Sequence, residues 1–150
     1  MRIESSSSKE TKLLGRLFGE ELRRSTFRSK GAMVIALIGA LGSGKTTFTQ
    51  GFAKGLGARG RVASPTFILA RIHRITGSRF TRLVHMDAYR LSSVRDLPPL
   101  GFNELLADSE TILLVEWANR IRPALPKGTI TIRSSHLRSE EQRSFSFSLR

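Results

Sequence analysis

The segment Gly39-Ala40-Leu41-Gly42-Ser43-Gly44-Lys45-Thr46 matches the pattern G-x-x-x-x-G-K-[ST] at every fixed position. Before it, Met33 to Ile38 is an apolar run of strand length. After it, Thr46 to Leu56 reads as a helix, with Gly55 and Gly57 marking its end. This order constrains the fold more than any other feature, because the loop works by geometry. A strand must deliver it to the first turn of a helix. Its glycines then let the backbone wrap a phosphate chain with N–H groups aimed at the oxygens. The helix adds free N–H groups and the positive end of its dipole. Lys45 supplies a mobile cation near β- and γ-phosphates, and Thr46 a hydroxyl for Mg²⁺.

With 150 residues, the chain is expected to form a single phosphate-loop ATPase domain over 1–150, with 1–6 as a flexible lead. Its 39% hydrophobic and 25% charged residues are ordinary for a globular domain. No apolar run approaches the ~18 residues of a membrane span. Ser5 to Ser8, with Glu4, form no apolar signal core, so a secretory leader is not expected. The absence of cysteine excludes disulfides, Cys-ligated zinc and thiol catalysis. An ATP-type loop without an export signal points to the cytoplasm.

Net charge is +13. A phosphate-rich partner such as RNA is attracted to such a surface at moderate salt. The basic residues are scattered, however, and no arginine–aromatic interleaving suggests base stacking. Charge alone leaves direct RNA contact and simple arginine-rich composition both open.

Ser7-Ser8-Lys9-Glu10 has the spacing of a capping box. Leu13, Leu14, Leu17, Phe18 and Leu22 then recur on one helical face, predicting a helix to about Arg24. Residues 66–73 and 80–86 read as strands around a turn at Thr76-Gly77-Ser78, a potential hairpin. A short helix is expected from about Gly101 to Ala107. Thr111 to Val115 has the continuous apolar character of a central strand buried on both faces. In the tail, 129–133 and 144–148 alternate with period two, as half-exposed antiparallel strands do.

Three further elements carry chemistry. Glu116 closes the run from Ile112 to Val115, where a second acid would complete a Mg²⁺ site; it is otherwise the first polar residue after a strand. Trp117 beside it reads as packing, a shield against water or a partner contact. Asp87, in His85-Met86-Asp87-Ala88-Tyr89-Arg90, suits the orientation or deprotonation of a water near a γ-phosphate; a turn cap is the simpler alternative. His85 reads as a partly buried imidazole bonded to backbone, and Arg90 as a phosphate neutraliser or a partner of Asp87. In Ser64-Pro65-Thr66, proline biases the chain toward an extended form that would direct the Thr66 hydroxyl, as in a phosphate-sensing loop.

In order, these elements are the loop with Thr47-Phe48-Thr49-Gln50-Gly51, then Ser64-Pro65-Thr66-Phe67, His85-Met86-Asp87-Ala88-Tyr89-Arg90-Leu91, Leu100-Gly101-Phe102 and Val115-Glu116-Trp117. The set resembles the TsaE (YjeE) family over roughly Ser7 to Pro126. The resemblance implies an α/β fold, a compact three-layer phosphate-loop NTPase with a mixed, mostly parallel central sheet and antiparallel additions. It implies ATP and Mg²⁺ binding and slow ATP hydrolysis in isolation. It further implies assistance to a TsaB–TsaD complex that forms N6-threonylcarbamoyladenosine at position 37 of tRNA. By the same resemblance, Thr11, Gly39, Leu41, Gly42, Ser43, Gly44, Lys45, Thr46 and Thr47 bind nucleotide. Thr46 and Glu116 serve the metal, while Asp87, Lys45 and Thr66 serve hydrolysis. Ala40 departs from the aspartate usual in relatives, at a variable loop position, and nothing after Pro126 matches a motif.

A small phosphate-loop kinase is the alternative. It would need an acceptor pocket and an arginine-bearing lid, for which Arg120 and Arg122 are the nearby pair. A GTPase is disfavoured by the lack of an Asn-Lys-x-Asp element. A nucleotide-binding module without catalysis is the third class.

Overall fold

Three apolar runs set the architecture of the computed structural model, which describes residues 1–26, 29–63, 65, 69–139 and 141–149. They form β2 (Met33–Ile38), β4 (Arg82–Asp87) and β5 (Thr111–Glu116). β5 lies between β2 and β4, parallel to both, and all of its residues are buried, as a two-faced apolar run requires. The other strands are β1 (Arg2–Ser5), β3 (Ala70–Arg74), β6 (Ile130–His136) and β7 (Arg143–Leu149). The seven-stranded order is β1-β7-β6-β2-β5-β4-β3. Its centre, β6-β2-β5-β4, is parallel, and β3, β7 and β1 add antiparallel edges. The expected mixed, mostly parallel sheet and the β3–β4 hairpin are both present.

Two expectations are corrected. The tail strand read at 129–133 as antiparallel pairs antiparallel with β7 on one side only; on the other it runs parallel to β2, Ile35 opposite Ile130. Period-two alternation reports half-burial but not strand direction. Residues 2–5, read from the sequence as part of a lead without structure of its own, form a strand that pairs with β7 in the register Arg2 opposite Ser146 to Ser5 opposite Arg143. Four residues carry too little pattern to announce a strand. Of the strand read at 66–73, positions 66–68 lie outside the described residues.

Alternation along the strands builds three layers. Ile35, Leu37, Leu83, Ile112 and Leu114 point to one face, against Phe48, Phe52 and Leu56 of α2 (Lys45–Leu56) and Leu22 of α1 (Ser8–Arg24). Val34, Ala36, Val84, Met86, Leu113 and Val115 point to the other. There they meet Phe102 of α3 (Phe102–Ala107) and Ile121 in the 3₁₀ segment Ala118–Ala124. Among the described residues no helix is long and apolar enough to cross a membrane.

The first helix starts as its capping pattern predicts. Ser7 Oγ accepts from the Glu10 N–H at 3.2 Å, although the Glu10 carboxylate reaches back to the N–H of Ser6 rather than Ser7. Small residues spaced by four then let α1 lie backbone-to-backbone on α2: Gly15 and Gly19 on one helix, Gly51 and Gly55 on the other. A Cβ at Gly51 would stand 1.9 Å from the Lys12 carbonyl oxygen. This contact carries the start of α1 to the phosphate loop at the start of α2. Gly51→Ala is expected to destabilise the fold by about 1–3 kcal/mol, because backbone on both sides blocks simple side-chain relief. Thermal unfolding followed by circular dichroism checks this, and an unchanged midpoint would show that the two helices separate freely.

Candidate functional site

Strand register brings the site together. β2, β4 and β5 are parallel, so their C-terminal ends share one edge of the sheet, where ligands of open α/β folds bind. Glu116 is opposite Leu37 on β2 and opposite Asp87 on β4. The chain leaves β2 through the phosphate loop and enters α2 at Lys45. Gly42 and Gly44 have φ of 73° and 93°, in the left-handed region where a side chain is strained.

Within this frame the Lys45 ammonium donates to the carbonyls of Gly39 and Ala40, both at 2.8 Å, and lies 4.1 Å from the centroid of the Trp117 ring. Burial pushes the Lys45 pKa down, opposed by the negative charges of Glu116 and Asp87. Thr46 Oγ1 donates to Glu116 Oε2 at 3.0 Å. The other oxygen, Oε1, accepts from His85 Nε2 at 2.8 Å and is approached by Thr49 Oγ1 at 3.3 Å. Glu116 is thus buried with each oxygen held by a donor. His85 is fully buried and bonds a carboxylate rather than backbone, which corrects its sequence-based reading; its Nδ1 has no hydrogen-bond partner among the described residues.

Asp87 is 2% exposed, and its Oδ1 accepts from the Tyr89 N–H at 2.8 Å. It therefore shapes the turn after β4 and also lines the cavity beside the loop. Trp117 adopts φ 57°, a left-handed conformation rare for a bulky residue. The turn this makes at the end of β5 lays the indole over Lys45 and against Tyr89, ring centroids 5.0 Å apart.

The cavity encloses about 530 Å³. Leu41, Gly42, Gly44, Lys45, Thr46 and Thr47 form its floor, with Asp87, Glu116 and Trp117 on one side. Ser7, Ser8, Lys9 and Thr11 contribute from the start of α1. Thr11 itself is buried, its hydroxyl 2.8 Å from that of Ser5. Gly39 and Ser43 are not in this lining; the Ser43 hydroxyl turns inward to Ser134 Oγ at 2.7 Å. Arg90 does not line the cavity either, and Thr66 lies outside the described residues.

Sequence reasoning missed the tail. Arg143 Nε donates to the Gly42 carbonyl at 3.0 Å, His136 Nε2 is 3.2 Å from the Leu41 carbonyl, and Glu141 and Arg143 line the cavity. No local pattern marks these residues, because only the pairing of β6 with β2 and of β7 with β6 carries them to the loop.

The donor set fits Mg²⁺. The Thr46 hydroxyl and the Glu116 carboxylate are hard oxygen donors already beside one another, and Mg²⁺ takes few protein ligands when phosphates and water supply the rest. Among the described residues no cluster of three or more His, Cys, Asp or Glu forms a metal cage.

Comparison with known proteins converges on one family. Residues 5–145 match the family model described as threonylcarbamoyl adenosine biosynthesis protein TsaE. The tRNA threonylcarbamoyladenosine biosynthesis protein TsaE of Treponema pallidum is 36% identical over 132 residues, covering 88% of this chain and 89% of that protein. The Streptomyces coelicolor protein of the same name is 48% identical over 85 residues, covering 56% of this chain and 55% of its own. The crystal structure of Bacillus subtilis YdiB superposes with a TM-score of 0.75 at 30% identity, covering 99% of this chain and 84% of that one.

Proposed function

The chain belongs to the TsaE family of tRNA threonylcarbamoyladenosine biosynthesis, and from that premise we propose that it is a Mg²⁺-dependent ATPase assisting a TsaB–TsaD complex in the cytoplasm. The supporting observation is the meeting of the phosphate loop, the Thr46–Glu116 pair and Asp87 around one cavity.

In this reading the triphosphate lies along the loop, with backbone N–H groups and the start of α2 facing its oxygens. The Lys45 ammonium exchanges the carbonyls of Gly39 and Ala40 for phosphate oxygens, stronger acceptors because they are charged. Thr46 and Glu116 would hold Mg²⁺, whose positive charge would offset that of the phosphates. His85 keeps one Glu116 oxygen occupied so that the other stays directed toward Thr46. The Asp87 carboxylate orients the attacking water and accepts its proton, and the Trp117 indole limits solvent access to Lys45. Catalysis of phosphoryl transfer is mostly positioning, so partner contact that tightens this geometry would raise a slow basal rate.

The kinase reading has less support. Neither Arg120 nor Arg122 lines the cavity, and the Arg120 guanidinium lies 5.3 Å from the Tyr89 ring. A pull-down with the tagged full chain, with and without ATP and Mg²⁺, tests the proposal. Recovery of TsaD and TsaB that depends on the nucleotide is expected; recovery of neither would overturn the partner assignment.

A further inference from the structure

A second groove lies along the same pair of helices that frames the cavity beside the phosphate loop. It encloses about 440 Å³ and is lined by Lys12 of α1, Gln50 and Lys54 of α2, and Arg61 in the segment that follows α2. Both helices run from one site to the other. On α1, Lys9 and Thr11 line the cavity and Lys12 the groove; on α2, Thr46 and Thr47 line the cavity and Gln50 and Lys54 the groove. The glycine-mediated contact of α1 with α2 fixes their spacing, since the Lys12 carbonyl sits directly over Gly51.

The chemistry of the groove is one-sided. Lys12, Lys54 and Arg61 are all exposed, no acidic residue lines the groove with them, and none of their side chains has a hydrogen bond or ion pair among the described residues. By contrast, Arg16 of α1 is held by Glu20 at 2.7 Å. Like charges are thus gathered on three separate elements without a counter-charge, which favours a polyanion. Among the described residues the apolar lining is limited to Ala58 and Val62, both packed against the core, whereas a peptide partner is usually anchored by a large apolar side chain in a pocket. Two ammonium groups, a guanidinium and one amide suit phosphodiester oxygens, contacts that position a nucleic acid without reading its bases.

We propose that this groove binds the sugar–phosphate backbone of an RNA, beside the bound nucleotide. The proposal rests on the tRNA-modification role of the family, and it assigns the direct contact to a defined surface rather than to net charge. RNA seated there would lie against both helices that frame the phosphate loop, so nucleotide and RNA would share a wall.

The test measures binding of an unmodified tRNA transcript to the full chain by fluorescence anisotropy across a salt series. One variant neutralises the groove (Lys12→Gln, Lys54→Gln, Arg61→Gln). A control removes the same charge from exposed sites elsewhere (Arg71→Gln, Arg95→Gln, Lys127→Gln). The groove variant is expected to bind about tenfold or more weakly and to lose about 2–3 from the slope of log affinity against log salt, one step per lost phosphate contact, while the control changes little. Equal losses in both variants would overturn the proposal in favour of diffuse charge. So would undetectable binding by the unaltered chain. Retained tRNA affinity with lost capture of TsaB and TsaD would overturn it by assigning the groove to a protein. ATP binding measured on the same samples separates the two readings: an unaltered chain that binds tRNA through the groove but not ATP would refute the ATPase and leave the surface standing.

Discussion

Asp87→Asn is expected to leave ATP affinity nearly unchanged while lowering hydrolysis by roughly 10²–10⁴-fold, the usual contribution of a positioned general base. The choice of asparagine matters because Asp87 has two roles in the structure. Its Oδ1 accepts the Tyr89 N–H and so shapes the turn after β4, and it lines the cavity beside the phosphate loop. An asparagine oxygen can still accept that bond, so the turn persists and only the proton-accepting charge is lost. Single-turnover hydrolysis with TsaB and TsaD present, alongside equilibrium ATP binding, separates the roles. Full hydrolysis by the variant would leave Asp87 as a turn cap and remove it from the mechanism.

The second large effect is on binding. Lys45→Ala should weaken ATP by about 2–3 kcal/mol, roughly 30–150-fold in affinity, the scale of losing a hydrogen bond to a charged partner. The site makes the loss specific. Lys45 is 5% exposed, held by two loop carbonyls and covered by Trp117, so bulk solvent is poorly placed to replace its charge. Lys45→Arg is not expected to rescue binding, because a planar guanidinium does not fit a place made for a compact ammonium. Titration calorimetry with ATP and Mg²⁺ measures both variants. Unchanged affinity in Lys45→Ala would sink the assignment of this loop to the triphosphate.

The sheet centre was legible because burial on both faces leaves a one-dimensional trace: an unbroken apolar run at Met33–Ile38 and again at Thr111–Val115. α1 was legible from its cap and from Leu14, Phe18 and Leu22, which pack on the core; Leu13 and Leu17 of the expected apolar face are exposed instead, because Gly15 and Gly19 form the face that meets α2. The sense of β6 was not, since a half-buried strand alternates in the same way whichever direction its neighbour runs. Nor was β1, whose four residues owe their place to β7. The glycines of α1 and α2 are visible in the sequence, but that they meet each other is a fact of packing.

The chain's sequence by itself determined that a strand feeds a phosphate-shaped loop into a helix, because left-handed glycines, a lysine and a hydroxyl at fixed spacing are local requirements. It also singled out Asp87 and Glu116 as acids that end apolar strands. Only the tertiary structure decided what those acids touch. Parallel register sets Glu116 opposite Asp87 and hands its oxygens to His85 and Thr46, residues from two other elements. Only the tertiary structure brought Arg143 and His136 to the loop and lined Lys12, Lys54 and Arg61 along one groove. The reason is physical: backbone conformation is set over a few neighbouring residues, whereas contacts between distant elements depend on sheet order and helix packing, which leave no trace at any single position.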